Sequence, residues 1–472
     1  MIRTVSSLAI AFVIACSCAC SRDPGPPGAP PLERRAPPAT PEPTTLPNPC
    51  RGIVLPPDQH YVAPGLCARA VATNLGELRQ IAFAPNGDLF GVVTDGTIRR
   101  FRDANGDGSY DPQEIVDWAS TGGHNGHNVD FDGGYLYAGS PDGVKRWRWA
   151  PEIDHGGPGE DVVVGLSSAG HPFHPVHVWD GVLYVDSGSP TNTITPPPAD
   201  YDTKRAVIKR FTLSRFDPGR PFDWSEGEIV VLGVRNVVGF ARDGRDVTWG
   251  VVNGIDDLRY QGRDIHADNP GEDVIRIEAG ATNGFPFCFT AQHVVRDGVL
   301  VSPGTRLQAS PAKSDAWCAE NTTPPASFVH AHSAPLDIAF FEAPAGVLPS
   351  RWKHGAFIAL HGSWDRNPPT GYKVVWLPFD ADGKPPMPTS TPTSTSFPYE
   401  VVFGGGRDGL PSDGPWAWHA NGAGEGIVRP VGVTISPFDG ALYVSSDNGG
   451  VSGRSSGSPP NGAIYRIGLA RP

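Results

Sequence analysis

From residue 49 onward the chain returns to one pattern: an apolar run alternating with polar positions, a turn, then a second alternating run. The copies are IAFAPNGDLFGVV at 81–93, VDFDGGYLYAG at 129–139, VHVWDGVLYVDSG at 176–188, VGFARDGRDVTWGVV at 238–252 and VGVTISPFDGALYVSS at 431–446. A period of two with Asn-Gly or Asp-Gly between the runs predicts a β-hairpin, because those residues accept the left-handed backbone of a tight turn. The turns fall at Asn86, Asp132, Asp180, Asp243 and Asp439, the first three roughly 46 and 48 residues apart. A degenerate sixth unit spans LDIAFFEA at 336–343 and GAFIALHGSW at 355–364. Strand pairs at such a period predict an all-β fold, a six-bladed β-propeller of four-stranded antiparallel sheets over residues 49–472. The axis of such a ring gathers loops from several blades, so function is expected from scattered residues.

Composition supports that reading. The 472 residues include 58 Gly and 51 Pro, near twice the average share, which breaks long helices. A net charge of −12 lacks the basic footprint of a nucleic-acid binder. Residues 1–20 (MIRTVSSLAIAFVIACSCAC) read as a signal peptide whose Val13-Ile14-Ala15-Cys16 fits a lipobox, with ordinary cleavage among small residues as the alternative. The Pro-rich segment 21–48 reads as an extended linker. Together they predict an exported protein, in the periplasm or on the cell surface, touching a membrane only through a lipid on Cys16. Residues 385–398 are low in complexity and read as a surface loop. Beyond the leader stand Cys50, Cys67, Cys288 and Cys318, an even number in an exported domain, for which sequence proximity favours Cys50–Cys67 and Cys288–Cys318.

Three groups carry candidate chemistry. Asp103, Asn105, Asp107, Gly108, Asp111 and Glu114 match the D-x-[DN]-x-[DN]-G-x5-E calcium loop position by position. An acidic hairpin turn is the plainer alternative. Histidines cluster at His124, His127, His171, His174 and His177, and again at His330, His332 and His361; convergence at one mouth of the ring accounts for the set. Arg235-Asn236, His361 to Arg366 (HGSWDR), Lys373 and Arg429 would suit a small polyanion on the axis, since Arg grips carboxylates by a two-point fork. The chain has no G-x-S-x-G, no Walker loop, no G-x-G-x-x-G opening a helix and no C-x-x-C-H haem motif.

GHPFHPVHVWDGVLYVDSGSPTN, VLGVRNVVGFA, NGFPFC, HAHSAPLDIAFF, LHGSWDRNPPTGYKVVWL and RPVGVTISPFDGALYVSSDNGG together resemble the glucose/sorbosone dehydrogenase family, over residues 52 to 467. The resemblance implies a six-bladed propeller that binds pyrroloquinoline quinone (PQQ) and Ca²⁺, oxidises a sugar or related alcohol and passes electrons to an external acceptor. It implies that His171 is the general base, and that Arg235 and Asn236 stand at the reactive end of the quinone. It further implies that Arg429, His361 and Arg366 hold the quinone carboxylates, and that carbonyls of Gly254 and Ile255 in VVNGIDD bind a second Ca²⁺. Where the family often reads G-H-x-T-R, this chain has Pro172, Phe173 and His174 after His171, which makes His174 a second candidate base. Two other readings stay open: a propeller that binds carbohydrate or another ligand without turnover, and a lactonase using a central metal.

Overall fold

The computed structural model describes residues 60–193, 199–342, 347–366, 369–407, 410–411, 429–447 and 462–470. The leader, the linker, Cys16 and Cys50 lie outside the described residues. Among the described residues, six sheets are each built on four antiparallel strands, the propeller expected from the hairpin repeat.

Blade 1 comprises Leu78–Phe83, Leu89–Val93, Thr97–Phe101 and Ile115–Ser120, and blade 2 Val129–Asp132, Tyr135–Ser140, Gly143–Arg148 and Glu160–Val164. Blade 3 holds Val176–Trp179, Val182–Ser187, Val207–Thr212 and Glu228–Leu232. Blade 4 runs Val237–Arg242, Thr248–Val252, Glu272–Arg276 and Ser327–Val329; blade 5 runs Pro335–Phe340, Ala356–Leu360, Lys373–Leu377 and Glu400–Arg407. Each hairpin read from the sequence is the first pair of strands in a blade. In blade 3 the turn residues Asp180 and Gly181 both have positive φ, 54° and 72°, the geometry that matches the twist of a two-residue hairpin.

Blade 6 closes the ring. Its strands Pro430–Ile435, Leu442–Ser446 and Ala463–Leu469 come from one end of the chain, and its outermost strand, Leu66–Thr73, from the other. Leu66 pairs with Leu469 and Thr73 with Ala463, so backbone hydrogen bonds lock the two ends together. Between blades the sheets pack face to face through large buried side chains. Trp118 and Trp147 pack with Phe90 and Leu136 between blades 1 and 2, and Trp352, Phe357 and Trp376 join Val433 and Leu442 between blades 5 and 6. Blade 4 carries a long excursion between its third and fourth strands, closed by the Cys288–Cys318 disulfide and holding the one described α-helix, Asp315–Asn321. Cys67 is disulfide-bonded as well. The 385–398 stretch folds partly into a small exposed hairpin, Thr389–Thr391 with Ser394–Ser396.

The innermost strands meet closely, and polar side chains stitch them. Asn128 on blade 2 donates to the Val176 carbonyl (2.6 Å) and accepts from the Val176 amide (2.9 Å) on blade 3; Asp337 on blade 5 accepts from the Val433 amide (2.9 Å) on blade 6. The Gln80 side-chain amide crosses from blade 1 to the Val238 (3.0 Å) and Leu336 (2.6 Å) carbonyls of blades 4 and 5. Glycine permits the approach: a β-carbon on Gly239 would lie 2.4 Å from the Asp337 Cα. Gly239→Ala is expected to destabilise the fold by about 1–3 kcal/mol through overpacking against backbone, read as a lower urea midpoint with an unchanged slope.

Candidate functional site

Loops of blades 3, 4 and 5 line a cavity of about 140 Å³. His171 enters from the connection leading into blade 3, and Asn192 from the loop after its second strand. Arg235 and Asn236 open blade 4, Gly254 and Asp256 follow its second strand, and Glu272 begins its third. His332 lies on the link to blade 5, with Ser363, Trp364 and Asp365 after that blade's second strand.

His171 is held in one tautomer. Its Nδ1 lies 2.8 Å from the Ser189 carbonyl oxygen and 3.0 Å from Ser189 Oγ, and that hydroxyl donates its own proton to the Thr191 carbonyl at 2.6 Å. Both neighbours of Nδ1 are thus acceptors, so Nδ1 carries the hydrogen and Nε2 keeps the lone pair. Arg205 secures the surrounding backbone by donating to Gly188 O (2.7 Å) and Ala169 O (2.6 Å). Burial first, and the Arg235 charge second, push the His171 pKa down to about 4, so the ring is neutral at pH 7. Arg235, 5% exposed, donates from Nη2 to Asp256 (2.8 Å) and from Nε to the Asn192 carbonyl (3.2 Å). Asn236 is buried beside it, and its Oδ1 has no hydrogen-bond partner.

The cavity also holds carboxyl groups. Glu272 accepts from the Gly254 amide at 2.6 Å, and burial raises its pKa to about 8. Burial likewise raises Asp256, against the opposing pull of Arg235. His332 and Asp365 face each other at 3.3 Å.

Other residues read from the sequence stand elsewhere. His174 is fully buried off the cavity wall, and neither of its ring nitrogens has a partner. His361 and Arg429 form a separate buried network: His361 Nε2 is 3.0 Å from both Asp447 oxygens, Arg429 Nη2 is 3.1 Å from His361 Nδ1, and Arg79 donates to Asp447 at 2.8 Å. Despite the cost of burial, His361 and the charges of Arg79 and Arg429 hold the Asp447 carboxyl well below its usual range. Arg366 turns to the Ala267 carbonyl (2.6 Å) and Asp268 (3.1 Å). The Ile255 side chain packs among Leu258, Tyr260 and Phe285.

The 103–114 loop joins the third and fourth strands of blade 1, at the ring's edge. There Asp103 accepts from the amides of Gly106, Asp107 and Gly108, and Glu114 from those of Ala104, Asn105 and Asp111. Sequence reading had not singled out Asn192, Asp256, Glu272 or Asp365; Asp256 and Asp365 lie inside quoted motifs, whereas Glu272 carries no local signal.

In a ring-proton titration followed by NMR, His171 is expected to stay neutral from pH 7.5 down to about 4.5. Arg235→Ala should move its midpoint upward while leaving that of His174 in place. A wild-type midpoint near 6.5 would contradict the geometry.

A pyrroloquinoline quinone-dependent pyranose dehydrogenase of Coprinopsis cinerea is 28% identical over 422 residues, 85% of this chain and 55% of that protein, so the chain spans about half the relative's length. A pyrroloquinoline quinone-dependent sugar dehydrogenase of Hypocrea jecorina is 25% identical over 405 residues, covering 81% and 86%. Among solved structures, the holo form of the PQQ domain of the Coprinopsis cinerea pyranose dehydrogenase superposes with a TM-score of 0.70 at 25% identity, covering 89% of this chain and 99% of that one. The calcium structure of Trichoderma reesei Carbohydrate-Active Enzymes Family AA12 gives 0.71 at 24%, covering 87% and 97%. These similarities agree with the resemblance read from the motifs. The TrAA12-like family matches residues 60–451, most of the sequence, and the chain belongs to that family.

Proposed function

We propose that this protein oxidises a sugar or related alcohol, with PQQ as the electron acceptor in the axial cavity and an external carrier reoxidising it. The observation that carries the reading is the pairing, in one enclosed cavity, of a neutral imidazole fixed with its Nε2 lone pair free and a buried guanidinium. The chain's similarity to quinone-dependent sugar dehydrogenases supports it.

The residues fit one end of such a cofactor. Arg235 supplies N–H donors for an anionic oxygen, and the carboxamide of Asn236 has an unsatisfied buried oxygen beside it. PQQ, when bound, accepts the hydride from the alcohol carbon. The rest of the chemistry belongs to side chains. His171 Nε2 takes the hydroxyl proton. Its depressed pKa makes it a weaker base in equilibrium terms, yet keeps it unprotonated across the neutral range. Arg235 is pinned by Asn192 and Asp256, so it needs no reorganisation as negative charge grows nearby. Trp364, 55% exposed at the rim, offers an apolar face on which a sugar ring can lie. His361, bonded to Asp447, and Arg429, bonded to His361, act from behind the wall by fixing the strand that leads to Ser363.

Calcium remains part of the proposal at the 103–114 loop, through Asp103, Asn105, Asp107, Asp111 and Glu114, where the match to a calcium-loop pattern supports it. We also place the protein outside the cytoplasm, tethered through Cys16 by the 21–48 linker; the disulfides suit an oxidising compartment. The lactonase alternative gains one observation, the group of Asp256, His332 and Asp365 in the same cavity.

Reconstitution with PQQ followed by dye reduction over a panel of aldoses tests the reading, with lactone hydrolysis run in parallel. His171→Ala is expected to lower kcat by about 10²–10⁴-fold, and Arg235→Ala by about 10²–10³-fold. His174→Ala should lower stability with kcat kept. Protonation of the base abolishes its function, so kcat/KM should fall on the acid side near pH 4 rather than 6.5. Hydrolysis of lactones without dye reduction would overturn the proposal.

A further inference from the structure

The cavity brings together Asp256, His332 and Asp365, whose candidate ligand atoms all lie within 4.8 Å of one another, with Asp256 also paired to Arg235 at 2.8 Å. That span is close to twice a metal–ligand bond of about 2.2 Å. Hydrogen bonding makes the cluster unusual. His332 Nε2 stands 2.5 Å from the His266 carbonyl oxygen and 3.1 Å from that of Asn269. Two carbonyls can only accept, so Nε2 carries the hydrogen, and in the neutral ring Nδ1 presents a lone pair. Nδ1 lies 3.3 Å from Asp365 Oδ2. Neither Asp365 oxygen has a hydrogen-bond partner, although its side chain is only 7% exposed. Two acceptors thus face each other in a buried pocket, and a cation between them resolves the conflict. Donation of the outer ring N–H to backbone carbonyls is the arrangement that orients a metal-binding histidine. Charge agrees: the two carboxylates of Asp256 and Asp365 share the cavity with the one guanidinium of Arg235, which pairs with Asp256.

We infer that Asp256, His332 and Asp365 bind a divalent cation of the first transition row, and that they do so before any quinone is present. One imidazole nitrogen with two carboxylates favours an ion that accepts both donor types, such as Mn²⁺, over Ca²⁺, which prefers oxygen throughout. The site is distinct from the Gly254 and Ile255 carbonyls expected from the sequence. It deepens the proposed function, because a polycarboxylate cofactor entering this cavity meets two aspartates unless a cation screens them.

The test uses Mn²⁺ with the full-length, quinone-free protein. Loss of the free-ion EPR signal should show one tight site, and pulsed EPR should show coupling to a single ¹⁴N from His332. Asp365→Asn and His332→Gln should each weaken uptake at least tenfold, whereas Asp103→Asn in the blade 1 loop should not. Should a variant fail to fold, the nitrogen coupling in the wild type still decides the matter. No uptake, no ¹⁴N coupling, displacement by equimolar Ca²⁺, or loss only in Asp103→Asn would each overturn the inference. Dye reduction with PQQ in a protein that takes up no Mn²⁺ would leave the proposed function standing. Uptake without dye reduction would leave the ion site standing alone.

Discussion

The structure depends on how closely six inner strands can approach one axis. The limit is steric and is met with hydrogen bonds. Gly239 lets one strand touch the backbone of the next, Gly432 does the same against Gln80, and Asn128, Asp337 and Gln80 satisfy backbone groups that the converging sheets would leave bare. Buried polar groups are costly without partners and specific with them. The same side chains that make the hub tolerable therefore fix the angular position of each blade, and with it the loops above.

That rigidity is what gives His171 and Arg235 a defined relation although 64 positions of numbering separate them. One hangs from the entry to blade 3 and the other from the entry to blade 4. Gly188, from the second strand's end, sits between His171 and Asn236, where a side chain would collide with both. Burial and the Arg235 guanidinium keep the imidazole neutral, and Asp256, paired with Arg235 at 2.8 Å, balances the guanidinium in turn. Each charge in the cavity is thus defined by its neighbours.

Much of this was legible in the chain. Period-two runs and Asp-Gly or Asn-Gly turns announce the inner hairpin of each blade, because that hairpin is both half-buried and tightly turned. The outer strands are less regular. Leu66–Thr73 precedes the repeat and belongs to its last member, a pairing that no local pattern encodes. The excursion in blade 4 stretched the spacing and masked the period. At the site, His171, Arg235 and Asn236 stood out through the motifs that carry the family resemblance. Asp256 and Asp365 did not, since aspartate beside glycine or asparagine is what any turn contains. Glu272 opens a strand of otherwise ordinary composition. His361 and Arg429 drew notice as holders of a polyanion's carboxylates, whereas here His361 bonds Asp447, Arg429 bonds His361, and Arg79 pairs with Asp447.

The shared sixth blade also bears on how the molecule comes into being. Its edge strand is made before the first blade, and its partner, Ala463–Leu469, only after the other five blades. Until then the early segment carries unpaired backbone donors and acceptors, an open template for wrong partners. Contacts between residues so distant in sequence form slowly, after most of the loop entropy has been spent. The nascent chain is therefore most exposed to aggregation and proteolysis just before its last strand arrives, and its survival rests on whatever shields that orphaned edge in the interval.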